Sequence, residues 1–254
     1  MPVTRLSIEV NNRCQKNCSF CYNGSHPHGT TKWTPADIVS FVFDCQKQGT
    51  EAVSFGGGEP LLYEGIFEVI QSLEGVLFRS LTTNGLLLSK PEIYKSLLVS
   101  QPDKVHISIH NVEDKKEVER VIDQVKRLDL DGIRSGINLL VRLSNISDAK
   151  IVSKEIEREG IGKDRIIYIP FHGNDSPTPE QIAFVAGAQP FQSVSCLKGC
   201  RISPRFCSIS WDKEVGWCSY TSSRKKLNDL SAAGLSSALK GLALEYCGSN
   251  LPRS

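Results

Sequence analysis

Three of the nine cysteines, Cys14, Cys18 and Cys21, fall at C-x3-C-x2-C spacing directly after the run Leu6-Ser-Ile-Glu-Val10. Thiolates this close in sequence can reach one iron–sulfur cluster from a single loop, and four cysteines make a complete set for a four-iron cluster. Three leave one iron open, and an open metal position is where a ligand binds and reacts. The bland alternatives for the same spacing are a zinc knuckle or three buried thiols.

Other residues with chemical capacity follow short apolar runs. Gly56-Gly-Gly58-Glu59-Pro60 comes after Ala52 to Phe55, and Thr82-Thr83-Asn84-Gly85 ends the run from Leu77. Ser108 and His110 end the run from Lys104, Arg142 follows Ile137 to Val141, and Pro170-Phe171-His172-Gly173 closes the run from Ile166. Each has an ordinary reading. Asn-Gly is a common turn, and three glycines can be a tight turn as readily as a backbone made for close approach. His26 and His28 lie in a Gly- and Pro-containing stretch and read as solvated.

The elements that must position these residues alternate. Between the six strand-like runs lie helix-period segments. Thr34 can cap and Pro35 can open a helix whose apolar positions Ile38, Phe41, Val42 and Cys45 share one stripe, with Gly49 ending it. Cys45 therefore reads as core. Val118, Val121, Ile122, Val125 and Leu128 form a second stripe. Six such units predict an α/β fold with a parallel sheet and right-handed crossovers. Six fall short of the eight that close a barrel, so an open, partial (β/α)6 barrel of the TIM type is expected. Sites in such folds sit at the C-terminal ends of strands, where the residues above fall.

Composition bounds the class. The chain has 254 residues, 40% hydrophobic and 23% charged, with a net charge of +2, which favours no class of partner. No signal peptide and no membrane-length apolar run is visible, so a cytoplasmic location is expected and nine cysteines read as metal-binding or catalytic, not as a disulfide framework. The first strand starts a few residues in, so no leader-peptide domain is expected before it.

Over residues 4 to 175 the chain resembles the radical S-adenosylmethionine superfamily, on the three-cysteine motif, the Gly57-Gly58-Glu59-Pro60 turn and the ordered strand-end residues. The resemblance implies that Cys14, Cys18 and Cys21 bind three irons of a [4Fe-4S] cluster whose fourth iron takes S-adenosylmethionine. It implies Phe20 and Tyr22 near the adenine, Gly57, Gly58 and Glu59 at the methionine amine, and Asn84, Ser108 and Arg142 at ribose or carboxylate. Ile169 and Pro170 would flank the adenine. It further implies reductive cleavage to a 5′-deoxyadenosyl radical, with a donor such as flavodoxin or ferredoxin. No nucleic-acid or membrane partner is expected.

The remaining cysteines gather late: Cys196, Cys200, Cys207, Cys218 and Cys247. Between Cys207 and Cys218 the alternation about Asp212-Lys213 predicts a β-hairpin, and Ser231 can cap a helix with the stripe Leu235, Leu239, Leu242 and Tyr246. This layout resembles a twitch subdomain, a short form of the SPASM extension, over residues 181–254, with the barrel over 1–180. The resemblance implies a second, auxiliary [4Fe-4S] cluster. Cys196 and Gly199 match its pattern, and Cys218 lies beyond Lys213, which stands where the pattern has a turn glycine. Cys200, Cys207 and Cys247 compete for the other two places, and proximity favours Cys200 and Cys207. A zinc site of four thiolates is the alternative. The implied activity is hydrogen abstraction from a small molecule or peptide, completed as an oxidation such as a dehydrogenation or crosslink. The rivals are a glycyl-radical activase and a non-catalytic metalloprotein.

Overall fold

Leu6, Ile8 and Val10 alternate with Ser7, Glu9 and Asn11, and a strand of that period sends the two sets to opposite faces. The computed structural model, which describes residues 3–188, 203 and 205–244, carries this pattern into a mostly parallel sheet flanked by helices.

The described residues form two compact units. The first combines residues 3–104 with 203 and 205–244. Its strands are β1 (Arg5–Asn11), β2 (Ala52–Gly57), β3 (Phe78–Thr83), β7 (Phe206–Ile209), β8 (Glu214–Gly216) and β9 (Lys225–Lys226), in the order β3-β2-β1-β7-β8-β9. The pairs β1–β2, β2–β3 and β1–β7 are parallel; β7–β8 and β8–β9 are antiparallel. Its helices are α1 (Pro35–Lys47), α2 (Ile66–Ser72), α3 (Pro91–Ser100) and α7 (Ala232–Leu239). The second unit, from Val105 on, holds β4 (Lys104–Ile109) but for its first residue, β5 (Ser135–Val141) and β6 (Ile166–Pro170), paired in parallel, with α4 (Lys115–Leu130), α5 (Ile146–Arg158) and α6 (Pro179–Val185). The chain thus runs through six successive β/α repeats before the hairpin.

Helix α1 shows why these elements form. The Thr34 hydroxyl accepts from the Asp37 N–H at 3.1 Å, and the Asp37 carboxylate accepts from the Thr34 N–H at 3.3 Å. Pro35 supplies the first helical residue, and Gly49 turns the chain at φ +102°. Such a capping box is worth about 1 kcal/mol. The stripe Ile38, Phe41, Val42 and Cys45 is fully buried with Leu6, Ile8, Val10, Val53 and Phe55. Burying Phe41 alone contributes about 2 to 3 kcal/mol.

The C-terminal hairpin forms about Asp212-Lys213, as its alternation predicts. It is not detached from the preceding sheet: β7 extends the sheet beside β1, with Cys207 opposite Leu6. The division into units also differs from a boundary at residue 180, because the hairpin and α7 group with residues 3–104. Lys213 adopts φ +67°, the left-handed conformation a turn glycine would take. Its ammonium pairs with Asp37 at 2.9 Å and lies 5.1 Å from the Trp33 ring centroid, which holds the turn in place of a glycine. Ser231 caps α7 through the Gly234 N–H, and Leu235, Leu239 and Leu242 are buried. Tyr246 lies outside the described residues. Among the described residues, no helix is long and apolar enough to cross a membrane.

Candidate functional site

The cysteine loop leaves the C-terminal end of β1 and is tied back to it by its backbone. The Cys14 N–H donates to His26 O at 3.0 Å, and the His26 N–H to Asn12 O at 3.1 Å. The Cys21 N–H closes a turn onto Cys18 O at 3.1 Å, and Asn17 takes φ +48° between the first two thiols. Cys14, Cys18 and Cys21 are all half-buried thiols. His26 and His28 are exposed, and His26 serves the loop through its backbone.

The Asn84 side-chain amide lies 3.7 Å from Cys14 Sγ, in donating position. Burial raises the Cys14 pKa, opposed by hydrogen bonds from the Lys16 backbone and Asn84. Donors aimed at a sulfur favour its thiolate, as partners behind a metal ligand do. Asn84 therefore stands against the cysteine loop, a place its Asn-Gly sequence did not disclose.

The glycine turn serves the same end of the sheet. A Cβ on Gly57, at φ +112°, would stand 2.5 Å from Asn11 O, and one on Gly58 would stand 2.3 Å from Arg13 O. Both glycines are required by packing against the start of the cysteine loop. Gly56 is different: a Cβ there meets nothing within 4 Å.

Glu59 is fully buried. Its Oε1 accepts from Thr83 Oγ1 at 2.6 Å and the Leu61 N–H at 3.1 Å; its Oε2 accepts from the Asn84 N–H at 2.9 Å. Its own N–H donates to Arg13 O at 2.7 Å, and its carbonyl accepts from Asn11 Nδ2 at 3.1 Å. The residue thus staples the ends of β1, β2 and β3 together: its backbone holds the β1 side and its carboxylate the end of β3. The named donors to its carboxylate come from Leu61, Thr83 and Asn84.

Phe20 is half-buried. Tyr22 packs on Tyr220, ring centroids 4.9 Å apart and tilted by 42°. The cysteine loop thereby meets the C-terminal segment through Tyr22, a contact no spacing in the sequence announces. On that segment Cys218 is half-buried and its sulfur accepts from the Tyr220 N–H at 3.4 Å. Arg224 holds the same turn, donating to Ser219 O at 2.9 Å and Cys218 O at 3.5 Å.

Cys207 requires a correction. It lies in β7 with no exposure, on the face it shares with Leu6. Burial, and then the neighbouring Cys45, push its thiol far up. A thiol sealed in a core strand is inert. Cys45 is likewise buried, its pKa raised to about 12, as expected of a core position. Cys196, Cys200 and Cys247 lie outside the described residues.

In the second unit Ser108 and Ile169 are half-exposed and lie on the face opposite the fully buried Ile107, Ile109 and Leu139. Ser108 stands opposite Asn138, and Ile169 opposite Leu140. The Arg142 guanidinium lies 4.7 Å from the Phe171 ring centroid. His110 is held by the buried Glu117, whose Oε1 accepts from its N–H at 2.9 Å and lies 3.3 Å from its Nδ1. His106, buried, bonds Asn138 through Nδ1 at 2.8 Å.

Among the described residues no three His, Cys, Asp or Glu side chains gather closely enough to hold a single metal ion. A four-iron cluster makes a different demand, since each thiolate takes its own iron. Three half-buried thiols on one backbone-tied loop fit that demand.

The Radical SAM superfamily model matches residues 8–152. The chain belongs to the radical SAM superfamily. A probable GTP 3′,8-cyclase of Methanocaldococcus jannaschii is 27% identical over 199 residues, covering 71% of this chain and 66% of that one. A probable GTP 3′,8-cyclase of Thermococcus kodakarensis is 33% identical over 143 residues, 55% of this chain and 45% of that one. The chain thus spans between about half and two thirds of these relatives' lengths. Streptococcus suis SuiB, solved with its precursor peptide SuiA, superposes with a TM-score of 0.71 at 15% identity, covering all of this chain and 68% of that one. That likeness shows the α/β fold of radical SAM partial barrels. The family and the cyclase relatives both indicate an enzyme, and the family implies a [4Fe-4S] cluster and S-adenosylmethionine.

Proposed function

We propose that the protein cleaves S-adenosylmethionine reductively and abstracts hydrogen from a small polar molecule in an oxidative modification. The observation that carries this reading is the set Cys14, Cys18 and Cys21, half-buried on one loop, with Asn84 donating toward the first sulfur. Bound there, the cluster and S-adenosylmethionine would together supply a 5′-deoxyadenosyl radical able to take hydrogen from an unactivated carbon. The chain's own residues bind and orient. Cys14, Cys18 and Cys21 would hold three irons, and the Glu59 staple keeps the strand ends that carry them in register. Phe20 stands in the loop as a candidate adenine contact. Ser108, Arg142 and Ile169 are the candidate cofactor contacts of the second unit.

A small molecule is favoured over a peptide because the sequence relatives are named for a nucleotide reaction. The SuiB likeness, at 15% identity, supports the fold alone. An auxiliary cluster remains part of the proposal, with Cys218 its described ligand and Cys196 and Cys200 its partners. Such a cluster would accept the electron a substrate radical must lose. Flavodoxin or ferredoxin would supply the first electron. The test uses anaerobically reconstituted protein with dithionite. It should release 5′-deoxyadenosine from S-adenosylmethionine, and the triple change of Cys14, Cys18 and Cys21 to Ala should not. Release that survives the triple change defeats the reading.

A second reading, cyclisation of GTP, is favoured by the relatives' names. Adding GTP to the same reaction and looking for a cyclised nucleotide separates the two.

A further inference from the structure

Parallel sheets with both faces covered ordinarily present branched apolar side chains on each, and barrel interiors are filled by layers of them. One face of the first unit departs from this. Ser208, Ser7, Ser54 and Ser80 stand in register on β7, β1, β2 and β3, a row of four serines across four parallel strands. Their strand neighbours Cys207, Leu6, Val53, Phe55 and Leu81 fill the opposite, fully buried face.

The row is not a hydrogen-bonded ladder. Ser208 donates to Glu9 Oε1 at 3.1 Å, and Ser80 makes one long contact of 3.4 Å to Val53 O. Among the described residues, the hydroxyls of Ser7 and Ser54 bond to nothing, and both side chains are half-exposed.

Glu9 rises from the same face, two residues beyond Ser7. Its side chain is only 3% exposed, and Arg224 Nη2 lies 3.6 Å from Oε1. Among the described residues, Oε2 accepts from none. Oε2 is not among the atoms sealed without a partner, so a donor from outside the protein can reach it, and a hydrogen bond to it would offset part of the cost of burying the charge. Burial raises its pKa to about 7, which reflects the same penalty. Opposite Glu9 in register is Gly56, the glycine whose Cβ position is empty. Its φ lies outside the left-handed region, so backbone geometry does not demand a glycine there. The face thus combines an acceptor, a row of hydroxyls and an open space beside them.

We propose that Glu9, Gly56, Ser7, Ser54 and Ser80 form the floor of a binding site for a small, phosphate-free molecule bearing several hydroxyl or amino hydrogens. Glu9 and the serines accept from such donors, and the absent side chain at Gly56 leaves room for the ligand. A phosphate is the wrong partner here. It would face the Glu9 carboxylate, while Arg224 is engaged with Glu9 and with the carbonyls of Glu214, Cys218 and Ser219. This inference names the substrate class of the proposed radical reaction and rests on that reading.

The test measures binding without reductant, so its outcome is separate from that of cofactor cleavage. D-glucosamine and GTP are titrated by calorimetry at pH 8, where Glu9 is ionised, into the full, anaerobically reconstituted chain with S-adenosylmethionine present. D-glucosamine should bind and GTP should not compete with it. Glu9→Gln should weaken glucosamine binding at least about tenfold, the scale of a hydrogen bond to a charged group. The pair Ser7→Ala with Ser54→Ala should weaken it less. Gly56→Val, which fills the open space without left-handed strain, should abolish it while the affinity for S-adenosylmethionine is retained. Melting temperatures identify any variant that fails to fold, and the serine pair, which removes only half-exposed hydroxyls, keeps the test decisive if Glu9→Gln does not. The proposal is overturned if glucosamine does not bind the wild type, if these variants bind it equally well, or if GTP displaces it. Loss of S-adenosylmethionine by Gly56→Val would assign the space to the cofactor and overturn it as well.

Discussion

Two kinds of cysteine occur in the first unit, and they differ by location, not by chemistry. Cys14, Cys18, Cys21 and Cys218 lie in loops and are half-buried. Cys45 in α1 and Cys207 in β7 are sealed in the core on the helix-packed side of the sheet, with thiols that burial pushes up. A metal ligand must ionise and must reach the metal. Loop thiols can do both. A thiol on the buried face of a central strand can do neither without opening the core. Proximity in sequence to Cys200 and Cys218 was therefore a poor guide for Cys207. The direction its strand gives its side chain decides.

The comparison breaks most sharply on iron content. Changing Cys14, Cys18 and Cys21 together to Ala should remove about four irons per chain, the content of one cluster, and abolish 5′-deoxyadenosine release. Cys207→Ala should keep the full iron content and cluster absorbance, and lower the melting temperature through the cavity it leaves. Loss of iron from Cys207→Ala would return that thiol to the auxiliary set.

Buried carboxylates sharpen the same contrast between groups satisfied by the protein and groups that are not. Glu59 is met by three protein donors and Glu9 by a serine and a longer contact to Arg224. Stability as a function of pH should expose Glu9. The native state keeps its proton up to about pH 7, whereas the unfolded side chain releases it near 4.5. The native state then binds more protons between those values, so stability falls as pH rises through that window and is level above it. The fall reaches about 3 kcal/mol at most. Glu9→Gln should flatten this slope in denaturant titrations at pH 5 and pH 8. An unchanged slope would mean that Glu9 is ionised throughout.

Glu59→Gln should lower stability by about 1 to 3 kcal/mol, because one oxygen becomes a donor facing donors. The same denaturant titrations measure it. An unaltered midpoint would argue that the carboxylate is available for a cofactor after all.

The smallest effect is expected at Lys213→Gly. Glycine relieves a left-handed residue, while the change removes an ion pair to Asp37 and a cation–π contact to Trp33. The two contributions nearly cancel, leaving less than about 1 kcal/mol. Lys213→Ala, which loses the contacts and keeps the strain, should be the less stable of the two variants.

Much of the fold was legible in the chain alone. The six strands, the Thr34 cap, the Cys45 stripe and the hairpin about Asp212-Lys213 follow from periodicity and capping, which are local rules acting within a few residues. The three-cysteine loop and the glycine turn were legible for the same reason: both are contiguous. The alternation Leu6-Ser-Ile-Glu-Val10 carried a further signal, since a charged residue in a strand must point to a face that tolerates it. What stands opposite was decided only by tertiary structure. Strand register set four serines in a row and placed Gly56 beside Glu9. The approach of β1, β2 and β3 made Glu59 a staple between strand ends, and the pairing of β7 with β1 turned Cys207 from a ligand into core. A sequence fixes which way successive side chains alternate, but which partners meet them depends on contacts between segments far apart in the chain.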